Sequence, residues 1–174
     1  MAATGGIAKR ITSKVLDEAH EYAHGEERPL GSFLVIMGAY GAVTGGMAGF
    51  LLARGRRLPD RLAWSDLALL AVATHKASRQ LAKDPVTSPL RAPFTRFSGT
   101  SGEAELEEEV RGTGMRKALG ELVTCPFCLG QWVATAGVFG LIAAPRATRA
   151  VASVFTVLAA SDALQYAYVR LQGS

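Results

Sequence analysis

Apolar and charged positions are segregated along this chain rather than interleaved. From Leu30 to Ala53 there are 24 consecutive residues without Asp, Glu, Lys or Arg. As a helix rising about 1.5 Å per residue, such a run extends ~35 Å and exceeds the ~30 Å hydrocarbon core of a bilayer. It starts at residue 30 with no short basic lead directly before it, so it reads as a span and not as a signal peptide. A second uncharged run covers Leu122–Pro145, with Pro126 making its first turn irregular, and Ala150–Val169 is interrupted only by Asp162. Leu62–Thr74 is shorter, with Asp66 inside it and His75, Lys76 and Arg79 just beyond. It suits a short span with snorkelling ends or a helix packed beside the others. The pattern predicts an all-α fold, a small transmembrane helical bundle of three to four spans. The alternative is a soluble helical domain with unusually apolar helices.

The polar segments divide the chain into an amino-terminal arm, residues 1–29, and a transmembrane domain, residues 30–171, with a polar connection at 76–121. Residues 2–25 read as an amphipathic helix, with Ile11, Val15, Ala19 and Tyr22 at helical spacing and Gly25 ending it. Lys9, Arg10 and Lys14 suit either anionic headgroups or a docking face on the protein's own loops. In the connection, Pro85, Pro89 and Pro93 forbid a continuous helix and favour an extended path. The stretch 103–109 carries five glutamates and reads as a solvated segment or a helix start. From Met115 to Val123 a helical pattern resumes.

Composition narrows the class. Of 174 residues, 49% are hydrophobic and 20% charged, which excludes a disordered polyelectrolyte. Two cysteines cannot build a secreted disulfide scaffold. The net charge of +4 invites a nucleic-acid reading. The basic residues cluster at span edges instead of on one aromatic-interleaved face, so no nucleic-acid partner is expected and the lipid bilayer is. Trp64, Trp132, Tyr166 and Tyr168 sit near segment ends, as interfacial anchors do. With four spans, the arm, the connection and the tail share one side and carry 13 of the 19 Lys and Arg. That places them in the cytoplasm in a multi-pass protein of the cell membrane, although the Arg54-Gly-Arg-Arg flank of the first span argues for the reverse.

Four features carry packing or chemistry. Gly41, Gly45 and Gly49 leave one face of the first span nearly free of side chains, for packing within the bundle or for a homo-oligomer or membrane-protein partner. Asp162 lies near the middle of the last span, where an ionisable group needs a partner. A structural pairing with Arg79 or a Thr hydroxyl is the expectation; a transporter or channel pathway using Asp162, with Asp66 and His75, is the weaker alternative. His20-Glu21-Tyr22-Ala23-His24 fits the H-E-x-x-H zinc-hydrolase pattern, but Gly25 ends the helix at once and no third ligand follows at a family spacing. Cys125-Pro126-Phe127-Cys128 suits a structural role, a redox pair or half of a zinc site completed by a second subunit's pair or by His20 and His24. No cofactor is expected on the first of these readings, and zinc on the last.

Two stretches look familiar together. Lys83-Asp84, Thr87-Ser88-Pro89-Leu90-Arg91-Ala92-Pro93 and Gly120-Glu121-Leu122-Val123-Thr124-Cys125-Pro126-Phe127-Cys128-Leu129-Gly130 resemble a bacterial membrane-protein family catalogued as domain of unknown function 1360. Some of its members are labelled sporulation proteins. The resemblance covers about residues 66–165, with the C-P-F-C-x-G-x-W run its most specific part, and implies a small multi-span bacterial protein with no activity to carry over. The arm and the glycine-rich first span lie outside it. The expectation is a non-enzymatic structural or partner-binding component of the cell envelope, its contact surface supplied by the polar connection. A thiol or zinc site at Cys125 and Cys128 is the alternative.

Overall fold

The structure, a computed structural model, describes residues 21–24 and 28–172. Apart from residues 21–24, 28 and 29, the amino-terminal arm, His20 included, lies outside the described residues. Helix α1 is Leu30–Ala53, the uncharged run to the residue, and α2 is Trp64–Lys83. A 3-10 turn (Pro85–Thr87) and the one-turn helix α3 (Ser88–Arg91) lead into an antiparallel hairpin of β1 (Thr95–Gly102) and β2 (Glu105–Val110). Helices α4 (Gly114–Thr124), α5 (Pro126–Ala143) and α6 (Pro145–Gln172) complete the chain.

The hairpin corrects the all-α expectation. The glutamate-rich stretch is a strand, neither a solvated coil nor a helix start. Arg96 pairs with Glu109 and Phe97 with Glu108, with irregularities between Phe97 and Gly99 and between Thr100 and Gly102. Ala104 takes a φ of 59° at the tip. The Pro-rich run folds as two short helical turns in place of an extended path, with Pro85 and Pro89 in their first turns, where a missing N–H costs nothing.

Helix α2 runs well past Thr74, because the charges that end its apolar window find partners on other elements. Asp66, Leu70, Ala73 and Ala77 recur at spacings of four, three and four, and this stripe is buried. It packs on α5 and α6, with Leu70, Ala73, Leu141 and Ala152 forming the centre of the core. Glycines on α5 allow the approach: a Cβ on Gly137 would lie 2.9 Å from Leu70 Cδ2, and one on Gly140 2.7 Å from Thr148 Oγ1. Small residues at helix crossings let backbones close in where large ones would hold them apart.

Helix directions follow from these contacts. Gly137 meets Leu70 and Gly130 meets Ser78, so α5 runs antiparallel to α2. Asp66 pairs with Arg149 and Lys76 with Asp162, so α6 runs parallel to α2. Tyr40 of α1 donates to or accepts from Thr135 at 2.7 Å and stands edge-on to Trp132, with ring centroids 5.1 Å apart. Arg28, just before α1, reaches Glu121 at 3.6 Å, so α1 runs with α5. The four long helices alternate in direction. The hairpin and α4 sit at one end, the hairpin end; the 54–63 connection lies at the other, the turn end.

Three helices, α1, α5 and α6, are long and apolar enough to cross a membrane; α2 does not meet that measure. The chain itself buries very little of them. Leu34, Val35, Met37 and Phe50 of α1 lie exposed, as do Val154, Val157 and Leu164 of α6. Each large apolar side chain left in water forgoes roughly 1.5–3 kcal/mol of burial, so a surface of this kind calls for an apolar medium.

Candidate functional site at the hairpin end

The polar end of α2 explains why the hairpin exists. Helix ends leave carbonyls without partners, and a two-stranded hairpin is marginal alone. One side chain, Arg91, answers both. It is 1% exposed, and its guanidinium donates through Nη1 to Leu81 O at 2.8 Å and through Nη2 to Asp84 O at 3.1 Å, closing the end of α2. Its Nε donates to Glu108 on β2, whose side chain is 6% exposed. Thr87 Oγ1 accepts from Arg91 Nη1 at 2.7 Å and donates to Gln80 O at 2.6 Å. Thr95 Oγ1 donates to Arg91 O at 3.0 Å, and Asp84 Oδ1 accepts from Val86 N at 2.8 Å. Every side-chain nitrogen of Arg91 thus has an acceptor, which makes the desolvated ion pair tolerable.

Helix α4 seals the other side. A Cβ on Gly120 would fall 2.5 Å from Val110 Cγ1 and 3.2 Å from Phe94 O, so only glycine lets α4 lie against the base of the hairpin. Arg116 donates to Pro93 O through Nε at 3.0 Å and through Nη2 at 2.7 Å. Most residues that carried the family resemblance therefore gather at one end, as helix-capping, clamping and close-approach groups.

A cavity of about 570 Å³ opens between α2, α6 and the hairpin. Lys76 Nζ lies 2.6 Å from Asp162 Oδ2 on its wall, and the Arg79 fork meets Glu105 at 2.5–2.9 Å. Tyr166 donates to Glu103 O at 3.5 Å across its rim. Asp162 is thus paired, but with Lys76; the expected Arg79 is engaged by Glu105 instead. Asp66, the other acid within an apolar run, sits at the far end, where Arg149 donates to both of its oxygens at 2.7 Å. Proximity in space, not in sequence, sets these pairings, and no local pattern announces them.

The cysteines lie at the start of α5. Cys125 is the N-cap, and its Sγ accepts from Cys128 N at 3.2 Å; both thiols are free. Among the described residues no group of three metal-ligating side chains forms, and His24 joins neither cysteine in such a group. His20 lies outside the described residues. Among the described residues, Gly41, Gly45 and Gly49 have nothing within 4 Å of an added Cβ. They lie opposite the face of α1 that carries Tyr40 and Leu51. Sequence reasoning gave no role to Arg91, Glu108, Lys76 or Arg149. For Arg91 alone a signal stood in the sequence, the Thr87–Arg91 run.

The fold and this end of it define a small helical bundle with three span-length apolar helices and a clamped polar cap. Residues 69–168 match the family described as protein of unknown function (DUF1360), and the chain belongs to that family. It is also similar to the sporulation protein YjcA of Bacillus subtilis (strain 168), 34% identical over 71 residues. That match takes in 39% of this chain and 60% of the relative. No solved structure matches the chain.

Proposed function

We propose that the chain is a non-enzymatic, multi-pass component of the bacterial cell envelope that binds a partner protein through its hairpin cap. The observation that carries this reading is the clamped hairpin, a marginal element held by a buried arginine so that Phe97 is 67% exposed beyond the bundle. Rigid presentation of an exposed aromatic lowers the entropic cost of binding. Arg79 and Arg91 at this end are engaged with glutamates, and Arg91, Arg111 and Arg116 with backbone carbonyls, which suits a structural cap better than a reaction centre. A sporulation label on a relative is compatible with an envelope role. With most Lys and Arg at the hairpin end, that end is assigned to the cytoplasm.

Site-specific photo-crosslinking in bacterial cells tests the reading. A photoreactive residue in place of Phe97 should give one discrete adduct, lost with Arg91→Met while the protein stays in the membrane fraction. Equal, diffuse adducts from Phe97 and from a control at Val157 would contradict it. A thiol function is the second reading, supported by the 3.2 Å Cys128 N to Cys125 Sγ contact that sets both sulfurs on one helical turn. Loss of a cellular phenotype in Cys125→Ser/Cys128→Ser, with the protein still folded, would favour it.

A further inference from the structure

The turn end holds a second cavity, of about 450 Å³, and its lining is predominantly basic. Arg56, Arg57 and Arg61 line it from the connection after α1, and Arg149 lines it from α6. Gly55, at φ 70°, turns the chain there: Arg56 N donates to Leu51 O and Gly55 N to Leu52 O, a helix-ending motif that needs a left-handed residue. Asp66 is the single acid in the lining, and both its oxygens are taken by Arg149. Asp60, the other acid of the turn, does not line the cavity. Arg56, Arg57 and Arg61 form no ion pair among the described residues. A space of this volume is roughly 10 Å across, about one Debye length at 0.1 M salt, so these guanidinium groups feel one another.

From this arrangement we propose that the cavity binds an anionic, phosphate-bearing group. Guanidinium forks match phosphate oxygens two by two, and several aimed at one space are the usual recognition device for that chemistry. Leu62, Ala63, Leu141 and Ile142 complete the wall, so an acyl chain can continue along apolar surface below the headgroup. The cavity lies at the level where α1 and α5 end, the level of headgroups if these helices span the bilayer. The proposal rests on that membrane reading for the lipid as source; free phosphate needs no bilayer.

The test uses the full chain in neutral detergent, with native mass spectrometry to read bound lipid. Phosphatidylglycerol should be retained at least about tenfold better than phosphatidylcholine, the scale of a few charge-assisted hydrogen bonds. Arg57→Gln/Arg61→Gln should lose that preference, while Arg54→Gln/Arg146→Gln, equal in charge and at the same end but outside the lining, should keep it. Thermal unfolding without lipid checks the fold of both. Should the lining pair fail to fold, Arg61→Gln against Arg54→Gln carries the same comparison. If inorganic phosphate alone stabilises the parent and not the lining variant, with no preference between lipids, the ligand is free phosphate. Equal loss in both double variants, or no response to either lipid or phosphate, overturns the site. Flotation of the parent with phosphatidylcholine vesicles reports membrane insertion separately, so failure of the bilayer reading and failure of the site are distinguishable.

Discussion

Arg91 and Arg57 carry the same guanidinium at opposite ends of the bundle, and the chain treats them in opposite ways. Arg91 is buried, capped on helix carbonyls and paired with Glu108, and it fixes a hairpin that could not hold its shape alone. Arg57 is exposed and without an ion pair among the described residues, one of several arginines around an open cavity. At the hairpin end charge has become internal structure. At the turn end it faces outward, toward something the chain does not supply. A residue type therefore says little by itself; the number of acceptors within reach decides whether a cation holds a fold or awaits a ligand.

The largest way to break the contrast is Arg91→Met. It leaves Glu108 buried without its partner, and removing one member of a buried pair costs about 3–5 kcal/mol. Hydrogen exchange should show lost protection from Thr95 to Val110 and unchanged protection at the 54–63 connection. Retained protection in the hairpin would show that the clamp is dispensable. Gly137→Leu comes next, since its added atoms meet Leu70 inside the core; overpacking of that kind costs about 1–3 kcal/mol in thermal unfolding. The same change at Gly45, where nothing lies within 4 Å, should alter the stability of the single chain by less than about 0.5 kcal/mol. A smaller particle in detergent with Gly45→Leu would then report self-association through that face.

Asp66→Asn sharpens the turn end. Arg149 is half exposed, so loss of the pair should lower stability only slightly. It also frees a guanidinium toward the cavity, so retention of phosphatidylglycerol should rise; a fall would contradict the assignment of charge there. Lys76→Met costs no more than Asp66→Asn, because Asp162 is 39% exposed and the pair is worth about 0–1 kcal/mol after screening.

What could be read from sequence follows from the range of the forces involved. The bounds of α1 stood in the uncharged run, since absence of charge is a local property. The end of α2 did not, because His75, Lys76 and Arg79 look like a boundary until Asp162 and Glu105 arrive from distant segments. The hairpin was hidden for the same reason: 105–110 alternates poorly, and its strand state depends on Arg91 at another place in the chain. The glycines reverse the lesson. Gly41, Gly45 and Gly49 make the more regular glycine stripe, yet Gly120, Gly137 and Gly140, which form no such run of glycines, are among those pressed against side chains. Spacing identifies a face that can pack; only the fold says which face does.

On the proposed multi-pass reading the two ends lie on opposite sides of a bilayer, with α2 crossing beside α1, α5 and α6. Impermeant thiol labelling tests it in a Cys125→Ser/Cys128→Ser background, with single replacements Arg57→Cys and Glu107→Cys in intact cells and in inverted vesicles. Arg57→Cys should be labelled in intact cells and Glu107→Cys only in inverted vesicles; the opposite assignment would overturn the orientation alone. Labelling of both from the same side would contradict the four-helix crossing itself.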